Sequence, residues 1–172
     1  YMNPDLDGTA CAIALANLLP GFKAVYFGHI DCESEHVLKK LEIDYPTHVT
    51  DINDAMEIGL VDTHHVLQLP PNFPTDKVIL IVDHHPNGDN DQFPNAHIDN
   101  RNIGAAASIL AERYLDKNIN NEKMLRLLGY AIASNTINLS TLNTTDFDRK
   151  VFAKINELYP ISDQDIKDML YS

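Results

Sequence analysis

Two short runs built almost wholly of aliphatic residues, Ile58–Val61 and Val78–Val82, each stop on acid: the first runs into Asp62, the second into Asp83-His84-His85. Strands that read as near-continuous Val, Ile and Leu are buried on both faces, which is the mark of a parallel sheet. Parallel neighbours need crossovers, and the sequence supplies helical spacing between them. Gly8 to Leu19 carries Ala10, Ile13, Ala14 and Leu18 at helical intervals, with Asp7 placed as N-cap and Pro20-Gly21 as stop. Ala24 to Ile30 reads as a further strand and Ser34 to Leu41 as a short helix. Beyond a loop at Pro86 to Pro94 the chain turns helical, over Ile103 to Leu115, Glu122 to Ala133, a helix opened by Thr145, and a last one capped by Ser162 with Asp165. The expected fold is α/β, a Rossmann-like parallel sheet flanked by helices, with all 172 residues in one domain.

Three acidic segments therefore fall where such a fold binds ligands, in the crevice at the carboxyl ends of the strands. They are Asp5-Leu6-Asp7 in a tight turn, Asp62, and Asp83-His84-His85. Taken singly, each has an ordinary explanation: Asp5 closes a turn, Asp7 caps a helix, Asp62 ends a strand. Together they make a divalent-cation centre, in which Asp5 and Asp7 point to neighbouring positions and Asp62 lies between them. Oxygen donors with one or two imidazoles suit Mn²⁺ first and Mg²⁺ second, in contrast to the sulfur-rich sites of structural zinc. Adjacent histidine side chains diverge, so one of the pair can bind metal while the other faces a phosphate or leaving group; His85 is the candidate for the second role. Asp83 is expected to orient a histidine.

Charge narrows the ligand. The net charge is −12, and residues 1–86 hold 4 Lys/Arg against 13 Asp/Glu. With no Lys/Arg cluster, a long nucleic acid finds no footprint. No apolar run approaches the ~20 residues that cross a bilayer, which argues against a membrane. Cys11 and Cys32 lack the density of a disulfide scaffold and point to a reduced, cytoplasmic setting.

Four segments in order, Asn3-Pro4-Asp5-Leu6-Asp7, Val61-Asp62, Val82-Asp83-His84-His85 and Ile132-Ala133-Ser134-Asn135-Thr136, resemble the motifs of the DHH superfamily of phosphoesterases. The similarity is greatest to manganese-dependent family II inorganic pyrophosphatases and related exopolyphosphatases. Gly104 to Leu110 resembles a helix opening of the same family. The resemblance implies that Asp5 and Asp7 bind different metals, that Asp62 bridges them, that His84 completes the second site and that His85 faces phosphate. It also implies that Asn135 stands at a ligand position and that metal-activated water attacks phosphorus directly. The chain departs from the pattern in two places: Tyr1 stands where the family has a metal-binding His, and Asn135 where it has Asp. The helix-opening loop Asn3 to Gly8 lacks the strand that should feed it, so an upstream strand is expected, and the resemblance implies a C-terminal domain that clamps the outer phosphate, both outside this sequence.

The expected activity is hydrolysis of a small phosphorylated substrate, pyrophosphate or short polyphosphate ahead of a nucleotide phosphodiester, with Asp62 and His85 as catalytic residues. A homodimer is the expected assembly. The competing expectation is a non-catalytic domain that binds metal or phosphate for regulation, motivated by Tyr1 and Asn135. His64 and His65 read as a solvated loop. Arg101 could meet an anion at the helix beginning near Gly104. Ser140, Thr144 and Thr145 read first as caps.

Overall fold

Five short strands and six helices account for the chain in a computed structural model that describes residues 1–172. Every strand pair is parallel. β1 (Val25–Tyr26) pairs with β2 (Thr47–His48), while β3 (Ile58–Val61), β4 (Val78–Asp83) and β5 (His97–Asn100) form a second sheet in that order. The helices are α1 (Leu6–Leu18), α2 (Cys32–Lys40), α3 (Ala106–Asp116), α4 (Glu122–Asn135), α5 (Asp146–Leu158) and α6 (Asp163–Leu170).

The sequence expectations hold for the helices to within a few residues, and the differences are informative. Asp5, and not Asp7, caps α1: its backbone is extended and its carboxylate accepts from the Gly8 N–H at 3.0 Å. Asp7 sits inside the first turn and turns its carboxylate to another helix altogether. The expected Ala24–Ile30 strand shrinks to Val25–Tyr26, because the chain turns at Gly28 with φ +72°. A side chain there would overlap Asn3, whose Oδ1 accepts from the His29 N–H at 2.9 Å. β2 and β5 had no apolar run to reveal them, since both are short and polar at their ends. The caps expected at Thr145 and Ser162 are full capping boxes, closed by Asp148 and Asp165.

The main core lies on the helical side, where Leu6, Ala10, Ala14, Ile109, Leu128 and Ile155 are fully buried and Val61 and Val82 join from the sheet. Small residues on α1 let α3 and α4 approach closely. A second, smaller cluster of Ile58, Leu60, Val78, Ile81, Leu69 and Phe93 covers the other face, with loop residues in place of a helix. The edges of β1 and β3 face each other without pairing, across an apolar cleft of about 740 Å³, its open mouth included. Met2 reaches the rim of that cleft through a single parallel bridge to Phe27. Both cysteines are free thiols, and no helix is long and apolar enough to cross a membrane.

Candidate metal centre

Asp62 follows β3 with left-handed backbone (φ +55°), a conformation that costs an L-residue about 1–2 kcal/mol. The twist aims its buried carboxylate two ways. Oδ2 accepts from the Tyr1 hydroxyl at 2.7 Å, and Oδ1 faces the histidine pair, 3.3 Å from His84 Nε2 and 3.8 Å from His85 Nδ1. Oδ1 is buried and meets no donor in hydrogen-bonding geometry, and only a protonated His84 would face it with an N–H. A buried carboxylate oxygen without a donor is costly unless a cation meets it.

His84 is oriented for that role. Its Nδ1–H donates to the Ile103 carbonyl at 2.9 Å, which leaves Nε2 directed at Asp62 Oδ1 and, at 3.7 Å, at Asp7 Oδ2. An imidazole held by its other nitrogen on a backbone carbonyl is the usual posture of a metal-binding histidine. Asp62, His84 and His85 bring ligand atoms within 4.8 Å of one another.

Asp7 is buried, and both of its oxygens are held: Oδ2 by the Ala106 N–H and Oδ1 by the Ala107 N–H, each at 2.8 Å. The residue before α3, Ala105, has no side chain able to cap, so Asp7 closes that helix from α1. The last residue of α4, Asn135, also reaches the centre, donating its amide to Asp7 Oδ2 at 3.2 Å and to the Gly104 carbonyl at 2.9 Å. Asp5 lies at the exposed rim, where its Oδ1 accepts from the Tyr1 hydroxyl at 2.9 Å.

The centre holds more negative charge than its own cations balance. Burial first, and then Asp62, push the Asp7 carboxyl well above the ordinary range, and burial likewise raises Asp62. Burial works against a charged His84, but Asp62 and Asp7 outweigh it and lift that imidazole to about 9. No lysine or arginine helps. Arg101 is committed to Asp99 at 2.8 Å and Glu112 at 2.7 Å, and the α3 terminus it was expected to serve is already occupied by Asp7. Three carboxylates, a preset imidazole and an unpartnered oxygen fit a divalent cation of the hard, oxygen-preferring kind.

Behind the centre lies a relay that sequence reasoning missed. His64, expected in a solvated loop, is buried and its Nδ1 bonds Asp83 Oδ2. Asp83 Oδ1 in turn accepts from His85 Nδ1 at 2.8 Å and from the His84 and His85 N–H groups. Burial opposes ionisation of Asp83, yet these donors bring it down to about 2. Asp83 therefore orients His85, and not the metal-directed His84 whose ring is held by the Ile103 carbonyl, with His64 as a second support; His65 stays half-buried outside the centre. Gly88 is the one signal that could have exposed this, since a Cβ there would fall 1.6 Å from His64 Nε2. Thr145 caps α5, and Ser140 bonds the Ile137 carbonyl, so neither reaches the centre.

A parallel α/β domain whose strand-end acids and paired histidines meet in one crevice is the arrangement that the DHH-superfamily resemblance implies, and comparison with known proteins bears that resemblance out. Within that class the chain is similar to manganese-dependent inorganic pyrophosphatases, with 32% identity over 171 residues to one from Methanocaldococcus jannaschii, covering 94% of this chain and 55% of that protein. A crystal structure from Methanococcus jannaschii assigned as a family II inorganic pyrophosphatase superposes with TM-score 0.86 at 28% identity, covering 99% of this chain and 59% of the other. An exopolyphosphatase-related protein from Bacteroides fragilis shares the fold, with TM-score 0.76 at 11% identity over 99% of this chain and 54% of the other. The A-adding tRNA nucleotidyltransferase of Aquifex aeolicus is 30% identical over 156 residues, 89% of this chain but 18% of that protein. No family model matches the chain. The chain thus spans about half the length of the pyrophosphatase it matches.

Proposed function

We propose that this chain is the metal-binding half of a divalent-cation-dependent phosphohydrolase acting on pyrophosphate or a short polyphosphate. The observation that carries the proposal is Asp62 Oδ1, buried outside hydrogen-bonding geometry and facing His84 Nε2, which also looks to Asp7. Asp62, Asp7 and His84 would hold one cation, Asp5 and the other oxygen of Asp62 a second, and Asn135 borders the first. Mn²⁺, or Mg²⁺ in its place, supplies a more acidic water and neutralises phosphoryl oxygens when bound. The chain's own residues do the rest. Asp83 holds His85 by Nδ1, so its other nitrogen, at the open mouth of the centre, can carry a proton to the leaving phosphate. The Ile103 carbonyl keeps His84 in the ligand tautomer. Positive charge at the outer phosphate is the element of phosphoryl transfer that these side chains do not supply, since Arg101 is committed to Asp99 and Glu112.

The test is phosphate release from pyrophosphate, short polyphosphate and dinucleotides with and without Mn²⁺. Metal-stimulated release that vanishes in Asp62→Ala supports the proposal, and full activity in that variant overturns it. A second reading, metal or phosphate binding without turnover, draws on Asn135, which offers Asp7 an amide proton where a carboxylate would compete for metal. It would be favoured by tight Mn²⁺ binding with no release on any of these substrates.

The cleft between β1 and β3 supports a further strand ahead of Asn3. The cleft is lined by Val25, Tyr26 and Phe27 on one side and Ile58 to Val61 on the other, so a strand running parallel between the two edges would meet apolar side chains on both. Adding an apolar segment there should raise the melting temperature, and no rise would count against it.

A further inference from the structure

The Tyr1 hydroxyl occupies a place that is hard to explain as packing. It lies 2.7 Å from Asp62 Oδ2, 2.9 Å from Asp5 Oδ1 and 3.4 Å from the Asp5 amide nitrogen. A phenol has one proton to give, and two carboxylates compete for it. The ring is brought there by room made on α1: a Cβ on Gly8 would stand 2.7 Å from the ring and 2.8 Å from its oxygen. The ring also packs on the smaller hydrophobic cluster and lines the apolar cleft together with Ile52 and Phe73. The hydroxyl is thus wedged between Asp5 Oδ1 and Asp62 Oδ2, while the opposite oxygen of Asp62 faces His84.

We infer that the Tyr1 hydroxyl holds the position between Asp5 and Asp62 that a cation would otherwise take, so that the site binds one divalent cation tightly, at Asp7, Asp62 and His84, and a second only weakly. The inference rests on the metal-centre reading above. A cation bridging Asp5 and Asp62 needs both oxygens about 2–2.6 Å away, within the space the phenol oxygen already fills, and must displace two hydrogen bonds to enter. A neutral phenol is also a poor exchange for the carboxylate, carbonyl or water oxygens that Mn²⁺ and Mg²⁺ prefer. Tyr1 is accordingly a residue that sets how many cations the centre takes, acting on the acids and not on the substrate.

Direct Mn²⁺ counting tests this, by calorimetry and by the electron paramagnetic resonance of free ion, on the wild type, Tyr1→Phe and Gly8→Ala. The wild type should show one tight site per chain and a second weaker one. Tyr1→Phe, which keeps the ring and removes only the hydroxyl, should tighten the second by about tenfold or more. Gly8→Ala should move binding the same way by pushing the ring aside, so the two variants check one another against local misfolding. Two equally tight sites in the wild type, unchanged in Tyr1→Phe, would overturn the inference while leaving the metal centre standing. So would weaker binding in Tyr1→Phe or a tyrosinate absorbance on Mn²⁺ addition, since either would make the phenol a ligand. No Mn²⁺ binding by any of the three would remove both the inference and the reading beneath it.

Discussion

Changing Asn135 to Asp should make the metal-free protein less stable and the metal-loaded one relatively more so. Asn135 gives its amide protons to Asp7 Oδ2 at 3.2 Å and to the Gly104 carbonyl at 2.9 Å; an Asp there would present oxygen to both acceptors. Two carboxylates roughly 4 Å apart repel by about 4 kcal/mol at an effective dielectric near 20. Escape by protonation costs at most a similar amount at pH 7, about 1.4 kcal/mol for each of the roughly three units between that pH and an ordinary Asp, and less to the extent that burial already raises Asp7. Small shifts of the side chain relieve part of this, so about 2–4 kcal/mol is expected, or a fall of ~5–15 °C in melting temperature for a domain of this size. The penalty should shrink as pH falls toward about 4, because the new group's raised folded pKa destabilises only where its unfolded counterpart is ionised. Added Mn²⁺ should then recover more in the variant than in the wild type: a 10–100-fold gain in affinity is ~1.4–2.7 kcal/mol. Melting curves with and without Mn²⁺ at pH 7 and pH 5 decide it. Equal metal-free stability and equal Mn²⁺ shifts in the two proteins would refute the picture of Asn135 as the neutral partner of Asp7.

Asp62→Asn keeps a residue that tolerates left-handed backbone and removes a crowded buried charge, so the metal-free melting temperature should rise by a few degrees while Mn²⁺ affinity falls at least tenfold; a stability loss would mean that Asp62 is structural. Asp148 is buried and accepts from the Gly104 N–H, the Ser108 hydroxyl and both the N–H and hydroxyl of Thr145, at 2.6–2.8 Å. Asp148→Asn should cost about 3 kcal/mol in urea unfolding, since an amide meets these donors poorly. Burial opposes ionisation of Asp148, but those donors hold its carboxyl below the ordinary range. Its stabilisation is therefore complete above the usual Asp pKa and lost as pH falls through the depressed value, and the gap between variant and wild type should narrow in acid. Gly88→Ala should drive a methyl into His64 and disturb Asp83 and His85; phosphate release should drop with Mn²⁺ affinity nearly intact, and unchanged turnover would show that the relay does not position His85.

What could be read in advance were groups whose place is dictated locally. Asp62 and His84 sit at the carboxyl ends of apolar runs, and a parallel sheet sends such ends to one crevice whatever the loops do. Asp5, two residues into a Pro turn, could likewise be placed by spacing. What escaped depends on contacts between distant segments. That Asp7 serves α3 and not α1 is decided by 99 and 100 residues of separation. His64 looked solvated because its neighbours in sequence are polar, whereas its burial follows from the loop at Gly88 folding over it. β5, His-Ile-Asp-Asn, has no hydrophobic pattern and exists because the exposed edge of β4 needs a partner.

The hold of Asp7 on the first N–H groups of α3 means that one side chain answers to two selective demands. A homologue without the proposed phosphohydrolase activity would still need this acid to begin a central helix, so Asp7 should be kept where that activity is absent, whereas the Oδ1 of Asp62 would have nothing to keep it where no cation binds. Among homologous chains, retention of Asp7 is then a record of architecture, and retention of Asp62 a record of chemistry; a lineage that had lost only the second would be the place to look for a domain retired from catalysis.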